Sequence, residues 1–127
     1  MEMFGRSMIV TAVLVTAFPV WAHEEPAPNA AGEQVLTGEV VDTFCYLSHG
    51  KEALGKDHAG CAKKCIESGL PVAIKVGDQL YLATMASHEA ANKTLADFAG
   101  QRVTVHGHIM EADGQHLIAI TTVKKAD

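Results

Sequence analysis

Cysteine, aromatic side chains and positive charge are all scarce in this 127-residue chain, and each scarcity narrows what the protein is. Three cysteines allow at most one intrachain disulfide with a thiol left over. The single tryptophan, Trp21, falls in a leader-like segment, so the remaining domain is expected to fluoresce through Tyr46 and Tyr81 alone. Ten Lys and Arg against fifteen Asp and Glu give a net charge of −5, a balance that argues against a nucleic-acid partner, which wants a basic patch. Long apolar runs are lacking as well. Met8 to Phe18 is the most apolar stretch, and it is too short for the roughly 20 residues that a membrane-crossing helix needs. The chain shows no Ser-His-Asp set, phosphate loop or convincing carboxylate pair, so a binding protein is expected rather than an enzyme. It also has no CxxCH haem-attachment signal.

Residues 1–22 read as a secretory signal peptide: an early Arg6, the apolar run, then Pro19-Val-Trp-Ala22 with small residues where a peptidase would read them. No cysteine follows the run to carry a lipid. The expected location is therefore a periplasm or the extracellular space, with no membrane attachment after cleavage. Removal of this segment leaves nine Lys and Arg against fourteen Asp and Glu. His23 would become the amino terminus, where an α-amine beside an imidazole is a chelating pair, although a mobile tail is the expected behaviour. Residues 23–34, with Pro26 and Pro28 and little to bury, read as a linker. Residues 35–126 form one small domain.

Every cysteine lies in two short stretches, Asp42-Thr-Phe-Cys45-Tyr-Leu-Ser-His49 and Asp57-His58-Ala-Gly-Cys61-Ala-Lys-Lys-Cys65. A helix over residues 57–68, capped by Asp57 and ended by Gly69, steps about 100° per residue and gathers His58, Cys61 and Cys65 within roughly 60° of arc. Cys45, read as part of a long first strand over residues 35–47, would supply a third thiol. Three thiolates and an imidazole suit a soft or borderline cation, copper(I) or zinc. His49 is the substitute nitrogen donor, ranked behind His58 because it sits where a loop over residues 48–56 begins.

Two other readings stay open. A structural disulfide could join Cys45 to a helical cysteine. A Cys61–Cys65 bridge would strain the helix, because side chains four apart keep their Cβ atoms about 5–6 Å from each other while a relaxed disulfide wants about 3.5–4.5 Å. The cysteines could also be a redox pair, with a helix N-terminus and Lys63 and Lys64 favouring thiolate.

The rest reads as scaffold. Pro71 to Val76 and Gln79 to Met85 flank Gly77-Asp78 as a hairpin; Ser87 to Ala99 reads as a helix with Ala91, Leu95 and Phe98 inward; Gln101 to Glu111 and Gln115 to Val123 flank Asp113-Gly114 as a second hairpin. Strand, cysteine-bearing helical insertion, strand, strand, helix, strand, strand is, without the insertion, the order of a five-stranded OB-like Greek-key barrel. Gly38-Glu-Val-Val and Gly100-Gln-Arg-Val-Thr-Val-His-Gly107 resemble the entry and fourth strands of small exported OB-fold proteins, a likeness of scaffold that implies no function.

Cys61-Ala-Lys-Lys-Cys65 resembles the CxxxC loop of the exported copper-delivery proteins of cytochrome oxidase assembly, which also recruit a distant histidine. Those proteins have a thioredoxin-like fold and a proline after the second cysteine, where this chain has Ile66, so the resemblance implies shared metal chemistry and not membership. A periplasmic protein partner is compatible with such a role. His106, His108 and Met110 share one strand face, with His116 across the hairpin, as a second and weaker metal candidate; solvated polar residues are the usual occupants of such a face. Gly107 between the histidines marks close packing or a bulge. His88 is expected to be an exposed polar residue, and Met85 part of the core.

Overall fold

The computed structural model describes residues 32–127; the segment expected to be a signal peptide, His23 and the expected linker up to residue 31 lie outside the described residues. Five strands, β1 (Gln34–Asp42), β2 (Val72–Val76), β3 (Gln79–Met85), β4 (Arg102–Ala112) and β5 (Gln115–Lys125), close into a barrel in the order β1-β2-β3-β5-β4. The neighbours β1 and β2, β2 and β3, β4 and β5, and β1 and β4 are antiparallel. β3 and β5 run parallel, from Leu82 opposite Leu117 to Met85 opposite Ile120.

The two expected hairpins are β2–β3 and β4–β5. Alternation along β4 buries Val103, Val105 and Gly107 and leaves His108 and Met110 exposed. A side chain at Gly107 would collide with the carbonyl of Ala119, and one at Gly38 with the carbonyl of Lys75. Both glycines therefore mark places where neighbouring backbones approach too closely for a Cβ. The pairing also slips one register step beyond His106, which sits opposite Thr122 while Gly107 sits opposite Ile120.

The core joins Val40, Ile74, Val103, Val105, Ile118 and Ile120 from the barrel to Ile66 and Leu95 from its helical segments, all with no exposed surface. The insertion between β1 and β2 is thus packed into the domain. It contains helix α1 (Thr43–His49), a 3-10 turn (Gly50–Ala53) and helix α2 (Lys56–Glu67). Polar ties hold it as well. Glu39 Oε1 accepts from the Gly55 amide at 2.5 Å, and the Asn92 amide donates to the carbonyls of Ile66 and Leu70 at 2.8 and 2.7 Å. The Thr43 amide donates to Pro71 O at 3.0 Å, which brings the two ends of the insertion together.

Three expectations need correction. The first strand ends at Asp42, and Thr43–His49 is helical, so Cys45 stands on a helix and the expected loop shrinks to the 3-10 turn and Leu54-Gly55. The β-branched and aromatic residues there suggested a strand, but the Asp42 side chain accepts from the Phe44 and Cys45 amides and starts a helix instead. Asp57 does not cap α2. Gly55 takes the capping position, and Asp57 lies in the first turn, where its charge suits the helix dipole.

The third correction concerns the helix expected over residues 87–99, of which only α3 (Asn92–Leu95) and a 3-10 turn (Ala96–Phe98) form. Residues 86–90 fold back on β3. The Met85 amide donates to Glu89 O at 2.9 Å, the Thr84 hydroxyl to the same oxygen at 2.8 Å, and His88 adopts φ 66°. Backbone groups committed to the strand are lost to a helix. The inward stripe nevertheless survives: Ala91 and Leu95 are buried, and Phe98 packs half-buried against the core.

Candidate metal centre

The centre forms where α1 leaves β1 and α2 packs beside it. Cys45 is the third residue of α1 and is buried, with 8% of its surface exposed. On α2, Ala62 and Ile66 face the core, which turns Cys61 to the exposed side and leaves Cys65 half-buried. The helix ends as expected at Gly69: its amide donates to Ile66 O at 3.0 Å and the Leu70 amide to Cys65 O at 3.1 Å, fixing the last turn beneath Cys65.

Two groups of metal-ligating side chains result, and Cys45 belongs to both. The sulfurs of Cys45, Cys61 and Cys65 all lie within 4.8 Å of one another, and ligand atoms of Asp42, Cys45 and His58 meet the same limit. The three thiols expected to converge therefore do converge. His58, read as their fourth partner along the α2 stripe, is grouped with Asp42 and Cys45 instead of with Cys61 and Cys65. His49 is exposed and belongs to neither group.

Asp42 went unrecognised as a candidate ligand. It is the only buried charged residue among the described residues, with 1% of its surface exposed. Its Oδ1 accepts from the Phe44 amide at 3.0 Å and its Oδ2 from the Cys45 amide at 3.4 Å. The available signal was the capping preference of an aspartate placed just before Thr43 to His49, which the strand-like composition of that stretch masked. His58 Nε2 is buried without any hydrogen-bond partner.

The electrostatics protect protonated thiols. A hydrogen bond to Asp42, then burial, then the charge of the same carboxylate, hold the Cys45 thiol up to about 12. Burial first, then the Asp42 charge, also raise Cys65. Lys63, expected to favour thiolate, is turned away: its Nζ binds Asp97 at 2.5 Å and lies 3.7 Å from Glu67. Conditions that activate a redox cysteine are therefore missing at Cys45 and Cys65. All three cysteines are free, so the disulfide considered as an alternative is not formed.

The histidine strand behaves differently. His106, His108 and Met110 lie on the outer side of β4, as expected, but no group of metal-ligating residues forms around them among the described residues. His116 is occupied elsewhere, with Nδ1 2.7 Å from Glu111 Oε1 and its ring edge-on to Tyr81 at 5.7 Å. His108 and Met110 instead line a cavity of about 420 Å³ together with Met85 and His88. Met85 thus lies partly against the core and partly along this cavity. Compared with protein-family models, with curated proteins and with solved structures, the chain matches none of them.

Proposed function

We propose that this chain is an exported, OB-like transition-metal-binding protein that holds copper(I) or zinc through Cys45, Cys61 and Cys65, with His58 as the nitrogen donor nearest the thiols. The observation that carries the reading is the convergence of three sulfurs from two helices within 4.8 Å. Thiolates favour soft and borderline cations, and the exposure of Cys61 gives an ion a way in. The OB reading is supported by the closed strand order, the parallel β3–β5 pair and the short helical segment before β4. Export to a periplasm or beyond is supported by the leader-like residues 1–22. A periplasmic protein that gives or receives the ion is the partner such a role implies. A role in binding rather than catalysis is supported by the absence of a catalytic signature in the sequence and by a Cys45 thiol whose raised pKa makes it a poor nucleophile.

The test is a titration of the fully reduced protein, without oxygen, with copper(I) and separately with zinc. Tight uptake is expected, with a proton leaving each thiol that becomes a ligand, and therefore weaker binding in acid. Uptake that is indifferent to replacement of all three cysteines by serine would refute the thiolate site.

A further inference from the structure

We infer that the Cys45 sulfur is shared by two neighbouring cation positions, an outer one completed by Cys61 and Cys65 and an inner one completed by Asp42 and His58, so that the chain takes up two cations. The inference rests on the thiolate reading above and adds a second position to it. Its geometric basis is that both groups contain Cys45 while His58 and Asp42 are not grouped with Cys61 and Cys65. A single cation seated among the three sulfurs would leave the inner pair unused.

Two independent features of the inner group call for a cation. His58 Nε2 is a buried polar atom with no hydrogen-bond partner, and burial of such an atom is costly unless something binds it. Asp42 is a buried carboxylate, and no cationic side chain pairs with it: the ion pairs among the described residues are Lys63 with Glu67, Lys63 with Asp97, and His116 with Glu111. Two amide donors from the start of α1 and the Cys45 thiol satisfy part of the carboxylate's demand, and no cationic side chain balances its charge.

The donors also separate by chemistry. Three thiolates form a soft set, whereas a carboxylate, an imidazole and a thiolate form the mixed set of a borderline divalent ion such as zinc. Charge balance points the same way. With all three thiols ionised by metal binding and their protons released to solvent, the three thiolates and Asp42 together carry four negative charges, which two divalent ions neutralise and one does not.

The experiment counts zinc per chain by equilibrium dialysis and elemental analysis of the reduced protein, using the wild type and the variants Asp42→Asn, His58→Gln and Cys61→Ser. Two ions are expected in the wild type, falling to one in each variant. Asparagine also caps helices, so Asp42→Asn should keep α1 while removing the charge, and circular dichroism would verify this. If a variant does not fold, X-ray absorption of zinc-saturated wild type decides the matter through a metal–metal scattering path and a mixed sulfur and nitrogen or oxygen shell. A wild type that saturates at one ion, insensitive to Asp42→Asn and His58→Gln but lost with Cys61→Ser, overturns the shared sulfur and leaves the thiolate site standing. One ion weakened by His58→Gln also overturns it, by making His58 the fourth ligand of a single centre. Failure to retain any zinc or copper(I) overturns both readings.

Discussion

Two regions of the molecule carry ligand-type residues at close sequence spacing, the helical insertion with its cysteines and strand β4 with its histidines, yet only the first gathers them into a cluster. The difference is geometric. Along a strand, residues on one face lie about 6.6 Å apart at roughly 3.3 Å per residue, and the pleated backbone keeps them spread unless a neighbouring strand supplies a partner. The opposite strand offers His116, which is already bound to Glu111 and packed edge-on against Tyr81. In the insertion, Cys61 and Cys65 lie a turn apart on α2, and a second helix whose start is pinned by a buried aspartate brings Cys45 to them. The clustering of ligand-type side chains is a property of the junction between two helices, not of either one alone.

The sharpest way to break this comparison is at the shared residue. Cys45→Ser should weaken copper(I) and zinc binding more than Cys61→Ser or Cys65→Ser, and by more than the about 10–100-fold typical of residues that merely support ligands. Competition titration with a chelator of known affinity measures it, and equal, small losses for all three would mean that the two groups do not meet at Cys45. The next effect concerns whether the insertion belongs to the core. Ile66 has no exposed surface and packs with Leu95 and the barrel strands, so Ile66→Ala should cost about 2–5 kcal/mol in chemical unfolding. A loss well under 1 kcal/mol would describe a flap resting on the barrel.

Alkaline unfolding of the metal-free protein separates the regions further. The folded state holds the Cys45 proton up to about 12, against an ordinary thiol value of 9.0. Between those values the unfolded chain binds fewer protons than the folded one, so stability should fall as pH rises; below the lower value the contribution is fully present. Cys45→Ser should reduce this alkaline loss, leaving the part that the raised Cys65 thiol contributes, measured as the midpoint of urea unfolding at several pH values. A smaller effect tests the cap. Asp42→Ala should cost about 0.5–2 kcal/mol through the lost helix start, whereas Asp42→Asn should recover most of it.

The least expected change is on β4, where His106→Ala and His108→Ala should leave thiolate metal affinity unaltered. His88→Ala, at an exposed position, should move stability by no more than about 0.5 kcal/mol. If metal binding followed the β4 histidines and not the cysteines, the contrast drawn between the two regions would be reversed.

The residues alone were enough to specify the two hairpins, because Gly77-Asp78 and Asp113-Gly114 sit between runs whose alternation needs no distant partner to be read. They also specified α2, its end at Gly69 and the stripe bearing both of its cysteines, since helical period and terminal glycine are local properties. Local pattern misled where two conformations compete. The stretch from Thr43 to Leu47 has strand-like composition but follows a buried capping aspartate, and residues 87–90 look helical but His88 and Glu89 exchange backbone hydrogen bonds with Met85 of β3. Only the tertiary structure decided that Asp42 joins the ligand-type cluster, that His58 meets Cys45 and Asp42 and not its neighbours on α2, and that Lys63 serves Asp97 instead of a thiol. Those outcomes depend on how α1, α2 and β1 pack, and contacts between residues distant in the chain leave no periodicity in the sequence from which to read them.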